Sequence, residues 1–197
     1  MSDPETMAVY AARAEDYAAE VAPDPQFEVD YAAFVEGLPA SGTVLDLGCG
    51  PGLWAARFRD DGYRVAATDA SPEMAAIAHR TYGIEVSLAE FSDIEVRGVF
   101  DGIWAFFSLL HAPRDDFPSH LFRLRNALKP GGRLCLAMKL GEGEDRDALG
   151  RFYSYYHEDE LRGILGVMGF TVEHSRFGEG KGLAGVEEGF VVLTAHA

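Results

Sequence analysis

The sequence is short of basic residues. Its 197 residues include 17 Lys and Arg against 32 Asp and Glu, a formal net charge of −15. A nucleic-acid partner needs a basic footprint that displaces counterions, so this balance disfavours a phosphate-backbone ligand. It equally disfavours adsorption to an anionic membrane surface. There are only two cysteines. Cys49 and Cys135 form no CxxC and no disulfide framework, which points to a reduced, cytoplasmic protein. No window approaches the ~20 consecutive apolar residues of a membrane span. Residues 1–25 carry acids without an apolar stretch, so no secretory signal is expected. The six histidines give no HxxH, HxxxH or Cys/His pair, so no metal site is expected. Internal repeats and long linkers are absent as well. What is present is a hydrophobic fraction of 48%, enough for one ordinary core, and with the charge balance a small-molecule ligand fits best.

The pattern along the chain is read as follows. Residues 6–21 are Ala-rich and helical, with Tyr10, Arg13, Ala14 and Tyr17 on one face; Pro23 and Pro25 end that run. A second helix is expected over 27–37. From residue 43 strands and helices alternate. Strands fall at 43–47, 63–68, 84–88, 100–106 and 133–139, with helices at 52–61, 72–81 and 114–127 between them. The Ser71-Pro72 pair caps the helix at 72. Another helix spans 157–168, and strands at 170–177 and 189–196 follow without a helix between them. Such alternation predicts a doubly wound α/β sheet, with the last two strands able to pair as an antiparallel edge hairpin. The stretches 141–150 and 178–189 read as loops. The whole is expected to be one domain, residues 1–197, with 1–39 a helical cap and 40–197 the α/β core.

The chemistry-bearing segment is Asp46-Leu47-Gly48-Cys49-Gly50-Pro51-Gly52. A glycine-rich turn between strand and helix lets the backbone approach a ligand, and proteins binding NAD, FAD or S-adenosylmethionine (SAM) all use one. Leu53 stands where the dinucleotide fingerprint needs its third glycine or alanine. Asp46 within the loop would repel a diphosphate but favour an ammonium or sulfonium. No Gly-Lys-Ser/Thr is present, which excludes a P-loop. Asp69, ~20 residues beyond the glycines, suits two ribose hydroxyls of either ligand.

In order and spacing these motifs resemble class I SAM-dependent methyltransferases over roughly residues 40–177. Asp46–Gly52 is similar to the family's first motif and Asp69 to its acidic ribose position. Leu88-Ala89-Glu90-Phe91 and Phe100–Ala105 resemble the third and fourth motifs. Leu124–Leu134, with Lys129-Pro130-Gly131-Gly132, is similar to the entry to the fifth strand. The segments Ser108–Arg114, Lys139–Glu144 and Tyr153–Tyr156 look like a small bacterial subgroup resembling tellurite-resistance methyltransferases. The resemblance implies a seven-stranded, mostly parallel sheet with helices on both faces and an antiparallel final strand.

It also implies SAM as cofactor and a small-molecule acceptor. Gly48, Cys49 and Gly50 would border the amino-acid part of SAM, and Asp46 would orient its ammonium. Asp69 would take the ribose, Ala70 would flank the adenine, and Glu90 and Phe91 would meet its edge. Glu90 replaces the aspartate usual there. Ala105 and Phe106 would lie beneath the methionine part. Tyr17 would reach the cofactor from the N-terminal helix, which reads either as a lid or as a docked amphipathic helix.

On the acceptor side His111 reads as a general base or as a histidine held by backbone. Lys139 reads as an anion-binding group or as the partner of an acid in 142–147. Tyr153 and Tyr156 read as pocket walls or ordinary packing. Two other functions stay open: a SAM-binding protein without transferase activity, and a nicotinamide-dependent oxidoreductase. Leu53, Asp46 and residues 129–132 oppose the latter. Oligomeric state leaves no signature.

Overall fold

The structure, a computed structural model, describes residues 3–197. Pro4 at a first helical position and Asp3, whose carboxylate accepts from the Thr6 N–H at 2.8 Å, start α1 (Pro4–Ala12). Arg13 leaves helical geometry, with φ −121°, and α2 (Ala14–Glu20) follows. The single helix expected over 6–21 is therefore two. The break leaves Arg13 exposed, while Tyr10, Ala14 and Tyr17 pack on Met74 and Ile77. Helix α3 (Glu28–Glu36) comes next.

Then β1 (Thr43–Leu47), α4 (Leu53–Asp60), β2 (Arg64–Asp69), α5 (Pro72–Tyr82), β3 (Val86–Leu88), β4 (Phe100–Phe106), α6 (Phe117–Ala127) and β5 (Leu128–Lys139) alternate as expected. The chain continues through β6 (Glu144–Arg146), β7 (Phe152–Ser154), α7 (Glu158–Val167), β8 (Thr171–Lys181) and β9 (Glu187–His196).

Seven strands form one sheet in the order β3-β2-β1-β4-β5-β9-β8. β1 to β5 are parallel, and β9 runs antiparallel to both β5 and β8. The final strand is thus inserted beside β5, and β8 takes the edge. Strand order reverses at β1 and β4, which opens a crevice at their C-terminal ends.

Strand side chains alternate between the two faces. Leu45, Ile103, Leu134, Leu136 and Leu193 face α6 and α7; Val44, Trp104, Cys135, Ala137 and Val192 face α3 and α4. Helices therefore cover both faces. Tyr31 and Phe34 of α3 belong to this second layer, so within residues 1–39 it is α1 and α2 that lie against α5 above the crevice.

Three boundaries differ from the sequence reading. β5 begins at Leu128, and residues 129–132 bulge from it: Phe100 pairs with Leu128, then Gly102 with Arg133. Residues 178–181 extend β8 rather than forming a loop, because Gly178 leaves room for the Phe190 ring that a Cβ would strike. Residues 144–146 pair with 152–154 in a separate hairpin, so Tyr153 stands on a strand. Among the described residues, no helix is long and apolar enough to cross a membrane, and no cluster of three His, Cys, Asp or Glu is placed to hold a metal.

Candidate active site

The turn after β1 is built from left-handed glycines, with φ +67° at Gly48 and +53° at Gly50. A Cβ on Gly48 would come within 2.5 Å of the Ser108 Cβ, and one on Gly50 would rest 3.6 Å from the Tyr17 ring. Gly52, also left-handed, lets α4 approach Ala78 of α5. Asp69 ends β2 and braces this turn. Its Oδ2 accepts from the Gly50 N–H at 2.8 Å and its Oδ1 from the Ser71 N–H at 2.8 Å. The Ala70 N–H also donates to this carboxylate, which leaves lone-pair capacity for a ligand hydroxyl. Burial pushes the Asp69 carboxyl up, against those backbone donors.

Two chambers open here. The outer one is bordered by Gly48, Gly50, Asp69, Ala70, Glu90 and Phe91, with Ser71, Met74, Ser108 and His120 added by the fold. The inner one is bordered by Asp46, Cys49, Phe106, Lys139, Tyr153 and Glu188, with Arg151 beside them. Tyr10, Tyr17, Gly48, Gly50, Phe107 and His111 border both, so the chambers meet at this waist.

Most residues singled out from the sequence therefore converge. Two do not reach a chamber wall. Ala105, on β4 itself, is fully buried and faces the core. The Tyr156 ring packs against Phe117 at 5.0 Å and beneath the Arg114 guanidinium at 4.2 Å, also in the core.

Asp46 is 3% exposed and its Oδ2 has no protein partner. Burial pushes its pKa up to about 8. An ammonium ligand would favour the ionised form, so cofactor binding should release a proton near neutral pH. S-adenosylhomocysteine (SAH) is expected to bind roughly 10- to 30-fold more tightly at pH 8.5 than at pH 6.5 by calorimetry. Ligand-free stability should move oppositely. A folded pKa above the unfolded value means stability falls as pH rises from about 4 towards 8.

The His111 ring is held at both nitrogens. Nδ1 lies 2.7 Å from the Phe152 carbonyl, which only accepts, so Nδ1 carries the proton. Nε2 then accepts from the Tyr10 hydroxyl at 2.9 Å. Burial lowers the pKa to about 4, which fixes a neutral ring. Tyr10 in turn accepts from Arg151 Nη1 at 3.1 Å. Arg151 is 2% exposed and paired with Asp147 through Nε at 2.9 Å and Nη2 at 2.7 Å. Lys139 pairs with Glu188, not with an acid in 142–147, and its ammonium lies 3.6 Å over the Tyr153 ring.

Several of these residues carry no sequence signal. Arg151 and Glu188 find their place only through tertiary packing. Phe107, at the waist, holds φ +56°, a conformation its bulk disfavours. Tyr10 was visible as part of an aromatic helix face, but its partners were not.

Comparison with known proteins agrees with this geometry. Residues 44–132 match the family model described as a methyltransferase domain. An uncharacterized methyltransferase of Staphylococcus carnosus is 30% identical over 105 residues, covering 53% of this chain and 51% of that protein. A ubiquinone biosynthesis O-methyltransferase of Xanthomonas axonopodis pv. citri is 34% identical over 108 residues, covering 50% and 44%. The chain thus spans about half the length of these curated relatives. The solved structure of the 1,6-didemethyltoxoflavin-N1-methyltransferase of Burkholderia thailandensis, with bound 1,6-didemethyltoxoflavin and SAH, superposes with a TM-score of 0.79 at 25% identity. That likeness covers 98% of this chain and 87% of the other. The fold is the Rossmann-like methyltransferase fold. The matches place the likeness to methyltransferases in residues 44–132 by sequence and across the whole fold by structure.

Proposed function

We propose that this protein transfers a methyl group from SAM to a small-molecule acceptor. The observation that carries the reading is the pair of chambers meeting at one waist, with Asp69 on the outer side and the unpartnered Asp46 carboxylate oxygen on the inner side. The residues present fit SAM: a glycine cradle without Cβ atoms, an acid that can accept beyond its backbone donors, and a second acid suited to an ammonium. Gly48, Cys49 and Gly50 would border the amino-acid part, with Asp46 on its ammonium. Asp69 and Ala70 would hold the ribose and adenine, Glu90 and Phe91 the far edge of the base. Tyr17 closes over Gly50. When bound, SAM supplies an electrophilic methyl carbon: the bond to the acceptor forms as the carbon–sulfur bond breaks, and the electron pair stays on sulfur.

The chain's own contribution is then placement and exclusion of water. Phe107 at the waist and Phe106 beside it in the inner chamber form an apolar wall. His111 acts through Tyr10, because the Tyr10 hydroxyl occupies its basic nitrogen. In this conformation it is a positioning residue that holds Tyr10 towards both chambers. His111→Gln is expected to lower kcat about tenfold or more while SAH affinity stays within threefold. Equal loss in both would mean that the ring only supports the fold.

The net charge and the bound small molecule of the Burkholderia relative support a small acceptor over a nucleic acid. The segments Ser108–Arg114, Lys139–Glu144 and Tyr153–Tyr156 support kinship with the tellurite-resistance-like subgroup, and two unpaired buried cysteines support a cytoplasmic location. Incubation with methyl-labelled SAM and a panel of phenols, amines, thiols and heterocycles tests the reading. Label should pass to at least one class of acceptor. Tight SAH binding without transfer to any of them would favour a SAM-binding protein instead.

A further inference from the structure

The inner chamber has two unlike ends. At one, Phe27, Trp54, Phe106, Phe107 and Phe190 line it as a continuous aromatic surface. Phe27 lies 5.0 Å from Phe106 and 5.6 Å from Phe190, and Phe107 lies 5.3 Å from Phe190, ring centre to ring centre. At the other end stand Lys139 and Glu188, joined as an ion pair whose side chains are 12% and 26% exposed. Sheet geometry fixes the spacing between the ends. Lys139 pairs across the ladder with Phe190, and Glu188 and Phe190 are two residues apart on β9. Two residues on a strand share one face and stand about 6.6 Å apart.

Charge decides what the polar end accepts. Lys139 keeps N–H donors beyond the one given to Glu188. Glu188 accepts from Lys139 on Oε2 and from the Tyr155 hydroxyl at 3.3 Å on Oε1, and each oxygen keeps another lone pair. Donor and acceptor therefore stand side by side. An anionic ligand seeking Lys139 would meet the Glu188 carboxylate, and one seeking Arg151 would meet Asp147. A cationic ligand at this end would meet Lys139 and Arg151; Glu20, Asp24 and Asp46 line the chamber as well, and a cationic probe tests their pull. A neutral group with its own adjacent donor and acceptor satisfies both partners without leaving a buried charge unpaired.

We propose that the inner chamber takes a flat, fused-ring heteroaromatic acceptor bearing a neutral lactam or imide edge. The rings lie on the aromatic wall, the edge pairs with Lys139 and Glu188, and the ring atom to be methylated faces the Tyr10–His111 waist. This rests on the methyltransferase reading, since that reading gives the outer chamber to the cofactor's nucleoside and leaves the inner chamber beyond Asp46 to the acceptor.

Alloxazine and phenazine test the polar edge. Both are flat three-ring systems, but only alloxazine carries an imide edge. Each is titrated calorimetrically into the full chain saturated with SAH, with 2-naphthoate as the anionic probe and naphthylmethylammonium as the cationic one. Alloxazine should bind at least tenfold more tightly than phenazine and either charged probe. In the double variant Lys139→Met, Glu188→Leu, which replaces the pair by apolar groups of similar size, that preference should fall below threefold while SAH affinity is kept. Equal binding of alloxazine and phenazine by the unaltered protein, tighter binding of a charged probe, or a preference that survives the double substitution would overturn the proposal. The SAH titration is read separately. Its failure would overturn the cofactor reading on which the proposal stands.

Discussion

Replacing Asp69 with alanine is expected to weaken SAH binding by about 1.5–3 kcal/mol, roughly 10- to 150-fold, because hydrogen bonds to a charged acceptor are lost. The residue has two tasks that share the same two oxygens. Within the protein they tie the Gly50 and Ser71 amides, so they join the glycine turn to the start of α5. Towards the outer chamber the same carboxylate borders the place proposed for the ribose. Asp69→Asn separates the tasks. An amide keeps one acceptor oxygen but presents N–H to the other backbone donor, so it should recover only part of the affinity. Calorimetry with SAH measures both variants. Unchanged affinity in Asp69→Ala would remove the residue from the site.

The largest loss of stability is expected from Arg151→Met. Arg151 and Asp147 form a pair with side chains 2% and 10% exposed, and deleting one partner strands the other's charge. Breaking such a buried pair costs about 3–5 kcal/mol. For a chain of this length that corresponds to a fall in Tm of roughly 10 °C. The substitution also removes the donor that holds the Tyr10 hydroxyl, so α1 should loosen. Hydrogen exchange over residues 4–20 should rise in the variant. The double variant Arg151→Met, Asp147→Leu should recover much of the Tm, since it leaves no unpaired charge. Burial pushes the Asp147 carboxyl up, but the hydrogen bonds from Arg151 outweigh it and hold the group below its usual range. The pair's contribution is therefore present above the unfolded carboxylate pKa of about 4 and lost as pH falls through the lower folded value. A Tm unchanged in Arg151→Met would show the pair to be solvated.

These two residues mark what was and was not legible in the sequence. Asp69 could be read because its position depends on local order: a glycine turn, a helix and a strand end, all close in the chain. The same holds for Asp46, Gly48 and Gly50, and for the alternation that gives β1 to β5. Arg151 could not be read, because its role depends on Tyr10, 141 residues away. Lys139 was legible as a cation at a strand end, yet its partner Glu188 is 49 residues distant and belongs to a segment that looked like a loop. Glycines caused that misreading. Gly178 and Gly180 lower strand propensity, while in the fold Gly178 makes room for Phe190. Tyr153 and Tyr156 illustrate a smaller limit. Both lie in one aromatic run, but Tyr153 stands on β7 and lines the inner chamber, whereas Tyr156 lies beyond it and turns into the core. Side-chain direction there is set by a hairpin only three residues long on each side, too short for periodicity to reveal.

The acidity that opens the sequence is distributed by the same rules. Asp46 and Asp69 face the chambers, Asp147 is paired with the buried Arg151 and Glu188 with the partly buried Lys139, and Glu28, Asp61 and Glu15 meet arginines on the surface. The exposed pairs contribute little to stability each, whereas the buried ones carry the site.

A crystal structure with SAH bound is the most direct measurement. The expected result is one SAH per chain across the waist, with its nucleoside in the outer chamber and ribose hydroxyls on the Asp69 carboxylate, its ammonium towards Asp46 on the inner side and its sulfur beside Phe107 and Tyr10. A nucleoside placed away from Asp69, or a sulfur that faces away from the inner chamber, would contradict the assignment of this site to methyl transfer.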